Sequence, residues 1–238
     1  SADVQRVLDG NADVNARDAD GDTALLWAVR FDNSDCVQLL INAKAEPEAK
    51  DRDGCTALIL AARNGNVQCT QLLIDAKADL EAKSKYGYTA LFWAALYRNT
   101  ACVQLLIDAK ANLEARDDDG KTVLMTLLMR VGPKESTECV ELLLAGKVDI
   151  EAKGNDGRTA LMFAASAGEP FQIQLLVNAK ANVETKDPRG MTALMMAASC
   201  GHTECVKLLT DASTSAAQPP ERKRRRVSDA FPCRDGEQ

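Results

Sequence analysis

Histidine and aromatic residues are scarce in this chain of 238 residues. It has a single histidine, His202, and aromatic side chains make up only 4% of it. Its eight cysteines include no Cys-x-x-Cys pair, so the usual ligand sets for zinc are missing. We therefore expect no bound metal and no cofactor.

Sequence signatures of catalysis are missing as well. The chain has no phosphate-binding glycine-rich loop, no Gly-x-Ser-x-Gly nucleophile turn and no zinc-protease helix. The segment Asp18–Gly21 resembles the centre of a calcium-binding EF-hand loop, but in that register the outer ligands would be Ala16 and Trp27, which cannot coordinate calcium. We interpret these aspartates as turn formers. The sequence predicts a protein that is not an enzyme.

No apolar run approaches the ~20 residues that a membrane-spanning helix needs, and no signal-peptide pattern opens the chain. Residues 213–238 carry six basic and four acidic side chains. Subtracting these from the totals of 29 and 35 leaves 23 basic and 31 acidic residues before them, a net charge of −8. An acidic body disfavours binding to nucleic acid, because phosphate backbones require clustered lysine and arginine. We expect a monomer in the cytoplasm, the nucleus or both, without membrane contact.

The chain contains one unit that is repeated six times. A Gly-x-Thr pattern recurs with successive spacings of 33, 33, 33, 37 and 33 residues, and its glycines are Gly21, Gly54, Gly87, Gly120, Gly157 and Gly190. A fixed period of this length predicts a solenoid of stacked helix pairs, in which no unit can bury its apolar face alone.

Each unit follows a common order of residue types. It begins with Asp-x-x-Gly-x-Thr-Ala-Leu, continues with an Ala-Ala pair and Val-Gln-Leu-Leu-Ile, and ends with Glu-Ala-Lys. This order resembles the ankyrin repeat over about residues 2–212. The resemblance implies an all-α ankyrin-repeat solenoid, with turn fingers on one edge, first helices lining a concave groove and second helices on the back. It also implies a protein-binding scaffold, a step made by analogy because fold alone does not fix function.

The pattern divides the chain into three parts. We predict a partial N-terminal ankyrin repeat over residues 1–17, six ankyrin repeats over residues 18–212, and a disordered basic tail over residues 213–238. In repeat three, a first helix is expected over Thr89–Leu96 and a second over Thr100–Ala109, with Thr100 as its N-cap.

Two departures from the ankyrin pattern carry structural expectations. Where the family usually has glycine after the second helix, this chain has lysine, and each lysine would cost ~1–2 kcal/mol in a left-handed backbone. These positions are Lys44, Lys77, Lys110, Lys147 and Lys180. In repeat four, Leu127-Leu128 replace the alanine pair and Gly132-Pro133-Lys134-Glu135 lengthen the link between the helices. We expect the stack to bend or open first at this repeat.

Five cysteines occupy the same place, early in the second helix of their repeats: Cys36, Cys69, Cys102, Cys139 and Cys205. Equivalent positions in neighbouring repeats should lie ~8–10 Å apart, which exceeds the Cα separation of ~7 Å that a disulfide tolerates. We predict that they are reduced, buried and packed as small apolar side chains.

Half of the ten aromatic residues fall between residues 86 and 97. The ankyrin resemblance implies that Tyr86 and Tyr88 lie on a turn finger and that Trp93 and Tyr97 face the groove, while Phe92 points inward. Matching groove positions are filled by Trp27 and Phe31 two repeats earlier and by Phe163 two repeats later. Exposed rings with a charged rim predict a binding hot spot for a protein partner. Its predicted residues are Trp27, Phe31, Arg63, Tyr86, Tyr88, Trp93, Tyr97 and Arg130. The alternative is that the tryptophan and phenylalanine rings only enlarge the core.

Charged residues also follow the period. Glutamates recur at Glu48, Glu81, Glu114, Glu151 and Glu184, and each is followed two residues later by lysine or arginine. Such rows could guide a charged partner, but we interpret them as a solvated face with weak ion pairs.

The tail contains five consecutive basic residues, Arg222, Lys223, Arg224, Arg225 and Arg226, after Pro219-Pro220. The run resembles a nuclear import signal that would bind an import receptor. The alternatives are a solvated run or a contact with nucleic acid or an acidic protein. Ser228 fits the pattern that basophilic kinases select, and its phosphate would add about −1.5 to −2 charges beside the run.

Three functions follow from these patterns. The favoured one is an interaction scaffold that binds a protein in the groove centred on repeat three. The second is nucleic-acid binding through the basic tail, with the repeats as a spacer. The third is a regulatory fragment of a larger enzyme, since the chain opens inside a repeat.

Overall fold

A computed structural model describes residue 10, residues 12–129 and residues 137–217, with side chains described to residue 214. This part of the chain contains twelve α-helices and no strand longer than an isolated bridge. In chain order they are α1 Ala24–Arg30, α2 Ser34–Asn42, α3 Ala57–Asn64, α4 Val67–Asp75, α5 Ala90–Leu96, α6 Thr100–Asp108, α7 Val123–Met129, α8 Thr137–Ala145, α9 Ala160–Ala167, α10 Pro170–Asn178, α11 Ala193–Ser199 and α12 Thr203–Ala217. The prediction of an all-α repeat fold is confirmed.

The helices pack in two layers. Odd-numbered helices, the first helices of each repeat, contact the first helices of the next repeat. Even-numbered helices contact one another in the same way from α2 to α8 and again between α10 and α12. The alanine pairs Ala61-Ala62 and Ala94-Ala95 are completely buried between neighbouring first helices. Small side chains at these positions allow the helices to approach closely. One apolar core therefore runs through the stack.

A tight turn, or finger, precedes each first helix. In repeat two the Oδ1 atom of Asp51 accepts hydrogen bonds from the backbone N–H groups of Asp53 and Cys55, at 2.9 and 2.8 Å. Gly54 has φ +73°, which glycine adopts without steric cost. The hydroxyl of Thr56 then accepts a bond from the N–H of Ile59 at the first turn of α3. Asp18 accepts the equivalent bonds from the N–H groups of Asp20 and Asp22, each at 2.9 Å, so its predicted role as a turn former is confirmed.

The backbone after the second helices is left-handed at lysine, as predicted. Lys44, Lys77, Lys110, Lys147 and Lys180 have φ between 65° and 71°. Two further residues, Asp32 and Arg98, have positive φ at the ends of first helices. Gly65 and Gly168 stand at the corresponding ends of α3 and α9.

The periodic charged residues connect neighbouring repeats, so the expectation of a solvated face was incomplete. The Oε1 atom of Glu81 accepts a bond of 2.7 Å from the N–H of Asn112, one repeat ahead. The Nζ of Lys83 donates a bond of 2.7 Å to the carbonyl of Arg116. Glu48, Glu114 and Glu151 make equivalent acceptor bonds, and Lys50, Arg116 and Lys153 make equivalent donor bonds.

Asparagine side chains also link repeats, at the start of second helices. Asn66 donates from Nδ2 to the carbonyl of Val29 at 2.6 Å, and Asn99 donates to the carbonyls of Ala62 and Arg63 at 2.8 Å. Asn99 occupies the N-cap position of α6, although its side chain makes no capping bond there, so the prediction of Thr100 as N-cap was wrong by one position. Thr100 is the first residue of the helix.

The five periodic cysteines are buried, as predicted, and every described cysteine is free. Burial raises the pKa of the Cys55 thiol to about 11 and that of the Cys69 thiol to about 12. Near neutral pH these thiols therefore stay protonated and behave as small apolar groups.

Several sequence predictions fall on residues outside the described part. The opening segment Ala2–Asp9, the inserted link of repeat four, Arg130, the basic run Arg222–Arg226 and Ser228 lie there. At the C-terminal end, α12 continues to Ala217. The first five residues of the predicted tail, 213–217, are therefore helical. No helix within the described residues is long and apolar enough to cross a membrane.

Candidate functional site

Trp93, on α5 in repeat three, is the centre of a group of four rings. Its ring centroid lies 6.1 Å from that of Tyr86, 5.4 Å from that of Tyr88 and 5.8 Å from that of Tyr97. The contacts with Tyr86 and Tyr88 are edge-to-face, an arrangement that aromatic pairs favour. We call Tyr86, Tyr88, Trp93 and Tyr97 the aromatic cluster. It lies on the surface formed by the fingers and the first helices, the first-helix face.

The cluster has an exposed and an inner part. Tyr86 is 55% exposed and Tyr97 57% exposed. Tyr88 and Trp93 are half-buried and pack against the core, and Tyr88 stacks on the buried ring of Phe92 at 5.2 Å. The alternative that the rings only enlarge the core therefore holds for the inner sides of Tyr88 and Trp93, which pack against it. Tyr86 and Tyr97 present their rings to solvent.

Two polar contacts fix the position of Trp93. Its Nε1 donates to the hydroxyl of Ser84 at 3.3 Å. On the other side, the guanidinium of Arg63, from α3 in repeat two, lies 5.7 Å from the ring centroid, within the range of a cation–π interaction. Repeats two and three thus build the cluster together.

Trp27 and Phe31 form a second, smaller group on α1 in repeat one. Their rings stack at 5.7 Å, and they are 37% and 74% exposed. The Nε1 of Trp27 donates to the carboxylate of Asp18 at 2.7 Å, a bond that lowers the pKa of Asp18. The Arg30 guanidinium lies 5.4 Å from the Trp27 ring centroid. In repeat two, the position that corresponds to Trp27 and Trp93 is held by Leu60, which is fully buried. The two aromatic groups are therefore not joined by an exposed ring in repeat two.

Phe163 does not extend this surface. It was predicted at the groove position of repeat five, but it is only 4% exposed and belongs to the core. The neighbouring first helices α7 and α11 both pack against α9, so the ring lies between them. Of the predicted partner-binding residues within the described part, Tyr86, Tyr88, Trp93, Tyr97 and Arg63 lie together, while Trp27 and Phe31 lie apart.

Sequence reasoning missed the polar residues that hold these rings. Arg30 and Asp51 form an ion pair beside Trp27, and Ser84 accepts a hydrogen bond from Trp93. The available signal was the period itself, because Asp18, Asp51 and Ser84 stand at the same position of successive repeats. Within the described part of the chain, no group of three or more His, Cys, Asp or Glu side chains could hold a metal ion.

The family model for ankyrin repeats matches the chain three times, over residues 2–84, 76–153 and 128–219. Together these matches span most of the sequence, and the chain belongs to the ankyrin-repeat family. Ankyrin repeats generally mediate protein–protein interaction, and the fold is typically a non-catalytic binding scaffold.

Solved structures of ankyrin-repeat proteins resemble the fold closely. The ankyrin repeat domain of Bcl-3, a member of the IkappaB protein family, is 29% identical with a TM-score of 0.80, covering 88% of this chain and 91% of that one. A chain from the complex of the Bdellovibrio bacteriovorus predatory endopeptidase Bd0816 with immunity protein Bd3460 is also 29% identical, with a TM-score of 0.69 and coverages of 80% and 98%. An ankyrin repeat domain from Acinetobacter baumannii is 29% identical with a TM-score of 0.71, covering 79% and 97%. None of the curated protein sequences compared with the chain matches it.

Proposed function

We propose that this protein is an interaction scaffold that binds a protein partner on its first-helix face, with the aromatic cluster of repeat three as the main contact. The observation that carries the proposal is the pair of tyrosines, Tyr86 and Tyr97, which flank Trp93 and are each more than half exposed. Aromatic residues with an apolar ring and a polar edge are enriched at binding hot spots.

The structure favours recognition by a preformed surface. Trp93 is held by Ser84, Tyr88 and Arg63, so the inner part of the cluster is ordered before a partner arrives. A partner that covers Tyr86 and Tyr97 would then gain apolar burial without ordering a loop. The similarity to a chain from an endopeptidase–immunity protein complex supports a role in protein–protein association.

The proposal is tested with the double variant Tyr86→Ala, Tyr97→Ala. Both rings are exposed, so their removal should leave the fold intact, whereas Trp93→Ala would also remove core packing. The immobilised protein would be used to capture partners from a cell extract, followed by quantitative mass spectrometry. We expect at least one protein captured by the wild type to be depleted ~10-fold or more with the double variant.

Phe171 provides a matched control. It is also an exposed aromatic residue, at 53%, but it lies on the second helix α10. Phe171→Ala should retain the same captured proteins as the wild type. Equal capture by all three proteins would overturn the proposal, as would a loss shared by the double variant and the Phe171 variant.

A further inference from the structure

Arg30 and Arg63 occupy the same position in successive repeats, 33 residues apart, and each lies near a tryptophan ring. Arg30 has two carboxylate partners. Its guanidinium pairs with Asp22 at 3.0 Å and with Asp51 at 3.1 Å, and these carboxylates are almost fully buried. The charge of Arg30 is therefore satisfied within the protein.

The two carboxylates are replaced one repeat later. The positions that correspond to Asp22 and Asp51 are held by Cys55 and Ser84. No carboxylate of the described residues forms an ion pair with Arg63, whose described side-chain contact is with the Trp93 ring. Arg63 is half-buried. The protein thus places a cation in a half-buried, aromatic setting, where none of the described residues gives its planar donor groups a carboxylate.

An arginine in this setting is suited to a carboxylate from outside. Its planar guanidinium offers parallel N–H donors that match the two oxygens of a carboxylate, and charge-assisted bonds of this kind are stronger than neutral ones. The Trp93 ring, whose centroid lies 5.7 Å from the guanidinium carbon, helps to hold the guanidinium in place. The pairing of Arg30 with Asp22 and Asp51 shows that an acid fits beside an arginine at this position of the repeat.

We infer that Arg63 is the anchor for one aspartate or glutamate side chain of the protein partner, flanked by apolar residues that cover Tyr86 and Tyr97. This inference rests on the proposed function and names the chemistry of the partner. On the same face, the negative charges of the finger residues Asp53, Asp118 and Asp119 outnumber the positive charges of Lys85 and Lys121, and Lys121 pairs with Asp119. They disfavour a wholly acidic segment, because like charges repel across a low-dielectric contact. The partner segment therefore has a single carboxylate among apolar, neutral or basic residues.

A random library of 16-residue peptides displayed on phage supplies the probe. Peptides selected on the wild-type protein would be synthesised in two forms, one with the selected Asp or Glu and one with the matching Asn or Gln. We expect the selected peptides to share one acidic residue next to apolar residues. The amide form should bind at least ~10-fold more weakly to the wild type, since a charge-assisted bond is lost.

Two protein variants test whether the difference in affinity between the acidic and amide peptides depends on Arg63. Arg63→Gln removes the cation. Ser84→Asp gives Arg63 a carboxylate at the position from which Asp51 pairs with Arg30. A carboxylate at this position can also accept the indole N–H of Trp93, as Asp18 accepts that of Trp27. Each variant should bind the acidic and amide peptides with the same affinity. For the acidic peptide this affinity should be lower than that of the wild-type protein. Ser84→Asp should keep the fold stable, because Ser84 and Asp51 are buried to a similar extent, at 7% and 8% exposure. As a control for net charge, Arg158→Gln, in the finger of repeat five, should not change either affinity.

The outcomes separate this inference from the proposed function. Peptides that bind through Tyr86 and Tyr97 but respond neither to the acid-to-amide change nor to Arg63→Gln would overturn the role of Arg63 and leave the proposed function standing. Selected peptides that keep their affinity for the Tyr86→Ala, Tyr97→Ala variant would overturn the proposed function itself. A selection that yields no binding peptide would count against both.

Discussion

A lysine with positive φ follows every described second helix except the last one, α12. An L-residue with a side chain is strained in this region by roughly 1–2 kcal/mol, whereas glycine is not. Lys110, with φ 69°, is exposed on the surface, so its side chain contributes little packing. The five lysines are therefore places where the chain is less stable than its fold permits.

We predict that Lys110→Gly raises the free energy of unfolding by about 1 kcal/mol and raises the melting temperature. Thermal and urea denaturation measure both quantities. Lys110→Ala is the matched control, because it removes the charge but keeps the Cβ atom and should give no gain. A midpoint for Lys110→Gly no higher than that of Lys110→Ala would show that left-handed strain is not stored at this residue.

At the scale of the element, each helix pair is completed by its neighbour. The carbonyl groups at the end of a first helix lack partners within that helix. Asn66, which is buried, donates to the carbonyl of Val29 at the end of α1, and Asn99 does the same at the end of α3. The Val29 carbonyl, which also accepts from the backbone N–H of Asp32, thus gains a second donor from the start of the second helix one repeat ahead.

Asn66→Asp should lower the free energy of unfolding by about 1–3 kcal/mol, because an aspartate has no N–H to donate and brings a carboxylate against the Val29 carbonyl. Urea denaturation monitored by circular dichroism measures the change. Asn33→Asp is the control at the same position of repeat one. There the Oδ1 atom accepts from the N–H of Cys36, a role that a carboxylate fills equally well. Equal effects of the two substitutions would contradict the assigned donor role of Asn66.

The period of the sequence predicted the fingers and helices of each repeat. It did not predict the contacts between one repeat and the next. The finger aspartates and glycines were predictable because their partners lie within four residues of them. The role of Asn66 was not, because its partner, the Val29 carbonyl, belongs to the preceding repeat. The same holds for Phe163, whose inward orientation depends on space left by neighbouring helices. Sequence periodicity locates a residue within its repeat but does not give its contacts across the interface.

At the scale of the whole molecule, stability passes from each repeat to the next through shared interfaces. Repeat four interrupts this regularity. Residues 130–136 separate its helices α7 and α8, whereas residues 97–99 suffice between α5 and α6. A longer link holds its two helices together less firmly, since closing a longer loop costs more entropy.

We therefore predict that repeat four opens before repeat three in native-state hydrogen exchange. The amides of Leu127 and Leu128 on α7 should exchange faster than those of Ala94 and Ala95 on α5, although all four side chains are buried. Measurement by mass spectrometry at a range of low denaturant concentrations would resolve the order. Equal protection of the two pairs would show that the longer link does not weaken the stack.

The glutamate and lysine bonds between repeats have a consequence for how such a surface can change over evolutionary time. They join side chains at fixed positions to backbone groups of the adjoining unit, and they do not involve Tyr86, Trp93, Tyr97 or Arg63. The glutamates and lysines that form these bonds are thus separate from the residues that we propose to select a ligand. A new binding preference could arise by exchanging a few finger and first-helix side chains while the joints between units remain unaltered.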